Sequence, residues 1–418
     1  MRLLHRYPGF RHVFWGQLAS QFGNAVFLIM GLWEIQLRAP FLLAVAGLAM
    51  MVPSGLAIVG GALVDMHDPR RLMLWTDIVR GGAVGLGMLA LLLHAPLVPV
   101  IIGLLAVNSL GSALFSPAEQ VILPWLVEDR DLGQANGVYS LTFQLSGAVG
   151  SFIGGAAIAA IGIQVIFGVD LASFWLSGLA IWLMMRLVAL RPRPTSDDRA
   201  KAGSQNILVV LKDGLRALSV MPWLLRLLPI IMLTNFAFAA AFTMFPYWCR
   251  HVLRVGSVGY GSVDAAWAVG LVAGSLLVGR FNGWSFRSVT VFLGTLMGVT
   301  ILVFAATRAA VPAGGLLLLA GAANGVLNAI VVTIMQRLVP DDLRGRAFGA
   351  FAALLTLSQP AGALLSGVLL HVAPLWWPWA AAGAASLGLA LIASRELPTE
   401  RIGGAEAAVP VPAQSVPQ

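Results

Sequence analysis

The sequence predicts an all-α membrane protein of twelve transmembrane helices, built as two pseudo-symmetric six-helix halves. Three observations lead there. Of 418 residues, 59% are hydrophobic in type and 11% are charged, with a mean hydropathy of +0.87. A soluble domain carries about 25% charged residues, because polar surface has to cover its core. Apolar runs of about 20 residues, the length that crosses a bilayer as a helix, recur along the chain. Finally, residues 126–155 are echoed at 338–367, 212 positions later, about half the chain. Leu126, Val127 and Asp129 fall on Leu338, Val339 and Asp341; Gly133, Ala135 and Gly137 fall on Gly345, Ala347 and Gly349; Ser146, Gly150 and Gly155 fall on Ser358, Gly362 and Gly367. A single cysteine, Cys249, excludes a disulfide scaffold. The net charge of +8 reads as basic loops at one membrane face, with no nucleic-acid partner expected.

In chain order, the apolar runs cover about 13–37, 41–64, 72–94, 97–123, 132–161 and 164–190, then 222–249, 256–279, 288–307, 312–337, 346–372 and 376–394. They are continuous, unlike the short alternating strands of a membrane barrel. The first run is too long for a signal peptide and has no small-x-small cleavage site, so a permanent span is expected. Residues 1–190 form the N-terminal half and 222–394 the C-terminal half. Between them, 191–221 reads as a cytoplasmic linker: a Pro-, Ser- and charge-rich stretch to Asn206, then an amphipathic helix over 207–220. The tail, 395–418, ends in a low-complexity segment expected to be disordered. All but four of the 26 Lys and Arg residues fall on one side of this topology, the exceptions being Arg38, Arg250, Arg254 and Arg308. The bias predicts both termini in the cytoplasm.

Polar residues inside spans are costly against lipid, so their faces are expected to point inward or into water. Gln17, Gln21 and Asn24 share a face of the first span, and Asn108, Ser112, Phe115 and Glu119 a face of the fourth. Thr234, Asn235 and Phe242 in the seventh span and Asn324 and Asn328 in the tenth complete a candidate substrate cavity. Interhelical hydrogen bonding within each half is the competing reading. Four intramembrane carboxylates, Glu34, Glu119, Asp170 and Asp264, are candidates for proton coupling, since desolvation makes a carboxyl group there a possible proton carrier. Asp170, at the start of its span, could instead cap it, and Asp264 suits a cap or loop equally well. Trp376, Trp377 and Trp379 fit interfacial anchoring; Trp33, Trp248 and Trp267 suit that or the rim of an outer vestibule. Metal-ligand spacings, a phosphate-cradling loop and a hydrolytic triad are missing from the sequence, so no enzyme, metal or cofactor is expected.

The loop between the second and third spans reads Gly61-Ala62-Leu63-Val64-Asp65-Met66-His67-Asp68-Pro69-Arg70-Arg71. It resembles the cytoplasmic signature of the major facilitator superfamily, with Met66 in place of an arginine and Asp68 in place of a glycine. With Asp77 and Arg80 following, the wording is most similar to the branch of macrolide-efflux and enterobactin-exporter proteins, which are drug:proton antiporters. The resemblance implies a cytoplasmic gate in which Asp65 caps the eleventh span near Gly345–Phe348 and joins Arg70, Arg71, Asp77, Arg80, Asp342, Arg344 and Arg346. The matching stretch of the second half, Gly279–Arg287, lacks the aspartate. Gly137, Ser146, Gly150, Ser151, Gly154 and Gly155 resemble the antiporter signature of the fifth span, with Ser146 replacing a glycine and Ser151 a proline. Gly23 is followed by Asn24 where relatives often carry aspartate, so coupling through that position is not available. The resemblance further implies alternating-access export of a small hydrophobic or amphipathic compound, such as a drug, antibiotic or siderophore, by proton antiport from a monomer in the bacterial inner membrane. A lipid or lysophospholipid flippase, or an importer of the same fold, is the alternative.

Overall fold

A computed structural model describes residues 2–54, 67–187, 221–339, 341–370, 372–397 and 399. Secondary structure among them is helical, in twelve principal helices: α1 (Pro8–Arg38), α2 (Leu43–Ser54), α3 (Pro69–Leu92), α4 (Leu97–Leu126), α5 (Asp129–Ala160) and α6 (Ile163–Leu187), then α7 (Pro222–Thr243), α8 (Ser257–Leu277), α9 (Phe286–Ala306), α10 (Ala310–Leu338), α11 (Asp341–Val368) and α12 (Trp377–Glu396). Eleven of these are long and apolar enough to cross a membrane; α2 has 12 residues, and the rest of its predicted span lies outside the described residues. Residues 191–220 of the predicted linker and 400–418 also lie outside them; the start of the predicted disordered tail is ordered, since α12 runs to Glu396 and Leu397 is fully buried.

Helix starts follow local chemistry. Pro8, Pro69 and Pro222 stand in first turns, where a missing N–H costs nothing. Ser285 caps α9 by accepting from the Ser288 amide at 3.1 Å. Gly162, at φ +81°, makes the left-handed turn between α5 and α6. Pro117, Pro124, Pro229 and Pro360 lie inside helices, as neighbouring spans permit in a membrane. The repeated segments found in the sequence are the first parts of α5 and α11, which begin at Asp129 and Asp341, 212 residues apart.

Each half has its own packing. In the first, α1 packs on α5 and α6, and α3 on α4 and α6; in the second, α8 packs on α10, α9 on α12, and α7 on α11 and α12. The main contacts between the halves are α5 with α8 and α2 with α11. Leu86, Leu92, Leu276 and Leu391 are each more than half exposed. An outward-facing apolar belt of this kind is stable against lipid and not against water. The anchor expectation fails for Trp33, Trp248 and Trp379, which are buried in one core cluster, Trp379 against Phe304 and Trp248, while Trp376 is half exposed.

Candidate functional site

The polar residues of the first half form one buried chain. Arg80 lies eleven residues into α3, about 16 Å along its axis. Its guanidinium pairs with Asp77 at 2.6 Å, and both are almost wholly buried. Phe174 and Phe115 flank it at 4.8 and 5.1 Å, within cation–π range. Arg80 reaches Asn108 Oδ1 at 3.5 Å, and Asn108 donates to Asn24 Oδ1 at 3.0 Å. On the other side Gln17 donates to the Ser177 hydroxyl at 3.0 Å, and Ser177 lies beside Asp77. The chain therefore links α1, α3, α4 and α6.

This arrangement corrects three expectations. Asp77 and Arg80 are not beside the basic loop; they are the interior ion pair of the first half. Gln17, 2% exposed, does not face a cavity, because Ser177 holds it between α1 and α6. Phe115 is core, 4% exposed, and lies under Arg80. Gln21 and Asn24 stay half-buried, and Ser112 is exposed. Ser177 and Phe174 escaped the sequence reading, since nothing marks a serine or phenylalanine in an apolar run as a charge partner.

The four carboxylates separate by environment. Glu34 is buried and ion-paired with Arg38 one turn on. Asp170 is seven residues inside α6, so it caps nothing; it is 2% exposed, and its Oδ1 has no hydrogen-bond partner among the described residues. A cavity of about 10 Å³ lies between it, Arg80 and Asn108, near the smallest that holds a water. Gly23 is required beside it: a Cβ there would fall 2.2 Å from Ser173 Oγ. Glu119, half-buried on α4, accepts a hydrogen bond from the Tyr139 hydroxyl on α5. Asp264 is likewise well inside α8, so the cap and loop readings do not hold; the Ser151 side chain of α5 lies beside it.

In the second half, Asn235, Asn324 and Asn328 converge. They line a cavity of about 240 Å³ with Thr234, Thr290, Trp223, Phe286 and Phe351. Asn328 donates to Asn324 Oδ1, while Asn235 donates to the Ile231 carbonyl at 3.0 Å. Phe242 points elsewhere, into an aromatic cluster with Phe238, Trp267 and Trp379.

The glycines of α5 divide between two partners. Added Cβ atoms at Gly150 and Gly154 would meet α1, at 2.5 Å from Ala25 Cβ and 3.1 Å from Val26 Cα. At Gly155 it would meet α8, 2.4 Å from the Ser257 carbonyl, and at Gly261 it would lie 2.3 Å from the Ser151 carbonyl. Ala44 and Gly367 make the equivalent contact between α2 and α11. The α5–α8 and α2–α11 approaches lie at the end opposite the basic loops. Gly137 takes no part; it is exposed, with nothing within 4 Å of its Cβ position. Ser146 is buried at 3% exposure.

At the basic end, Asp68 caps α3, accepting from the Arg70 amide at 3.0 Å and pairing with the Arg70 guanidinium at 3.0 Å. Arg71 is 3.9 Å away and largely exposed. The signal for this cap was in the sequence, as an aspartate before a proline at a helix start. Burial pushes the Asp68 carboxyl up, but its bonds and charge contact with Arg70 outweigh that and hold it below the ordinary carboxylate range. Asp65 lies outside the described residues, as do the side chains of Asp342, Arg344 and Arg346 in the first turns of α11.

Two helical halves with polar side chains buried inside the spans suit a membrane transporter. Residues 13–359 match the Major Facilitator Superfamily, and the chain belongs to that family. It is 25% identical over 410 residues to the enterobactin exporter EntS of Salmonella typhimurium, covering 94% of this chain and 92% of that one. It is 23% identical over 321 residues to macrolide efflux protein A of Streptococcus pyogenes, covering 74% and 75%. The fold matches a crystal structure of the peptide transporter POT with a TM-score of 0.69 at 12% identity, covering 93% and 94%.

Proposed function

We propose that this transporter exports a small hydrophobic or amphipathic compound from the cytoplasm by proton antiport, working as a monomer in the bacterial inner membrane with both termini inside. The observation that carries the reading is the Glu119–Tyr139 pair: a carboxyl group inside the membrane whose bond is to a neutral hydroxyl on the next span. A carboxylate so placed is costly unless it is protonated or paired, which suits a group that gains and loses a proton during a cycle. Export is the direction named for the enterobactin and macrolide relatives. The Asp65 loop with Arg70, Arg71, Asp342, Arg344 and Arg346 is the proposed inner gate, and Asn24, Asn108, Asn235, Asn324 and Asn328 belong to the substrate path.

A growth-inhibition screen of an overexpressing strain against antibiotics and siderophores identifies a substrate. Uptake of it into inside-out vesicles then tests the mechanism. An imposed pH gradient is expected to drive uptake, with Glu119→Gln abolishing the driven component and sparing gradient-independent exchange. Asp65→Asn is expected to slow both at normal membrane abundance. Normal driven uptake in the Glu119→Gln vesicles removes Glu119 from the mechanism, and uptake indifferent to the gradient removes antiport.

A further inference from the structure

The two halves differ in what fills their interiors. In the first, the Arg80–Asp77 pair and Glu119 with Tyr139 put charge and hydrogen-bonding groups between the spans. The repeat places Val331 and Phe351 at the positions of Glu119 and Tyr139, 212 residues on. Both line the cavity of about 240 Å³, whose walls come from α7, α9, α10, α11 and α12, with Leu397 just beyond α12. All of these belong to the second half, so this is not the space between the halves. The lining on α7 runs from Trp223 to Asn235, about 18 Å along the axis, so the cavity is long and starts at the basic end. Asn328 and Val332 are exposed and give it a mouth on α10. Close-packed interiors leave few voids larger than a water, so a space of this size is unusual unless something occupies it.

Among the described residues, nothing charged lines the cavity. At its basic end Arg226 is held by Glu396 at 2.5 Å, and Arg287 donates to the Leu397 carbonyl at 2.6 Å. The polar groups that face it are neutral and have bonding capacity to spare. Thr290 is 6% exposed, and its hydroxyl has no partner among the described residues. Thr234 shows the usual arrangement in a helix, donating to the Ile230 carbonyl one turn back at 2.7 Å. Asn328 donates to Asn324 Oδ1 and Asn235 to the Ile231 carbonyl, which leaves the Asn324 amide and the Asn235 Oδ1 unused. Trp223 and Phe286, edge to face at 5.3 Å, supply flat apolar walls together with Phe351. A charged ligand would lose its hydration here and meet no counter-ion. A carboxamide on an apolar body finds both donors and acceptors.

We infer that this cavity binds an uncharged compound with a flat apolar body and a carboxamide-like group, held by the Thr290 hydroxyl and the Asn324 side chain. The inference rests on the reading that these asparagines belong to the substrate path. It adds that the part of the substrate held here is neutral and lies wholly within one half, apart from the charged groups of the other.

The test is equilibrium binding to the purified full-length protein in lipid nanodiscs at neutral pH, with binding to empty nanodiscs subtracted. The probe is tritiated para-phenylbenzamide. Its competitors are the unlabelled amide, two ions of the same shape (para-phenylbenzoate and para-phenylbenzamidine) and para-methylbiphenyl, which has no hydrogen-bonding group. The amide is expected to compete about tenfold or more better than either ion. Thr290→Val keeps the outline of the side chain and should weaken the amide about five- to tenfold. Met297 is buried in the cavity wall, so Met297→Trp fills the space and should abolish amide binding. Lack of saturable amide binding to wild type overturns the inference. So does either ion, or para-methylbiphenyl, competing as well as the amide, the last being the result if a lipid chain is the occupant. These comparisons need no variant to fold. Wild-type affinity in either variant overturns it as well. The measurement requires no transport. Amide-selective binding with no export in vesicles removes the export reading alone, whereas export with charge-indifferent binding removes this inference alone.

Discussion

Replacing Gly155 with alanine drives a methyl group into the backbone of the opposite half. The new Cβ would lie 2.4 Å from the Ser257 carbonyl oxygen and 3.1 Å from Gly261 Cα. A comfortable carbon–oxygen contact is about 3.3 Å, so the helices have to part by roughly 1 Å. Helix backbone cannot turn aside as a flexible side chain can. Overpacking of this kind costs about 1–3 kcal/mol. That cost falls only on the state in which α5 and α8 touch, so it shifts the population toward separation about 5- to 150-fold. The gain in helix propensity from Gly to Ala is common to both states and cancels. Gly137→Ala supplies the control, because the same propensity change meets nothing within 4 Å. Spin labels at the exposed positions Phe152 and Val258, in a variant with Cys249 replaced by serine, report the distance across this end. A longer-distance population is expected in Gly155→Ala and not in Gly137→Ala. An unchanged distribution in well-folded Gly155→Ala refutes the idea that this contact holds the end closed.

Three more outcomes follow from the geometry. Asp77→Asn leaves Arg80 buried without its ion partner and should cost about 3–5 kcal/mol, read as a lower melting temperature in detergent; Arg80→Gln combined with it should recover part of the loss. Asp68→Ala should lose about 1 kcal/mol through the α3 cap, with Asn retaining the cap but not the ion pair. Because the Asp68 carboxyl is held low, its charge contribution is complete above about pH 4 and is lost as the pH falls through the depressed value. The stability gap between wild type and Asp68→Asn should therefore close in acid, and a gap independent of pH refutes the pairing. Cys249 is buried, so maleimide should label it only after denaturation; rapid labelling of the native protein contradicts the packing around it.

The reading of polar faces shows how far spacing carries. Gln17, Gln21 and Asn24 share a helix face as expected, yet Ser177 takes Gln17 into the interior while Asn24 meets Asn108. Periodicity says which residues look the same way; it does not say what stands opposite. Asn235, Asn324 and Asn328 did converge on one cavity, because spans seven and ten both line it in the second half. Asp77 and Arg80 were misplaced for a related reason. Their sequence neighbours are loop arginines, but a rise of about 1.5 Å per residue carries them well into the membrane within two to three turns.

By itself the sequence determined the environment, the helices and their duplication, because hydropathy and repetition are local or linear properties that need no knowledge of contacts. Its few charges were enough to mark the basic end of the bundle. Tertiary structure alone decided which charge meets which. It set Arg80 between two phenylalanines, paired Glu119 with Tyr139, and pressed Gly155 against Gly261. Those pairings join residues far apart in the chain, and only the close packing of helices brings them within the few ångströms over which hydrogen bonds, ion pairs and steric contact act.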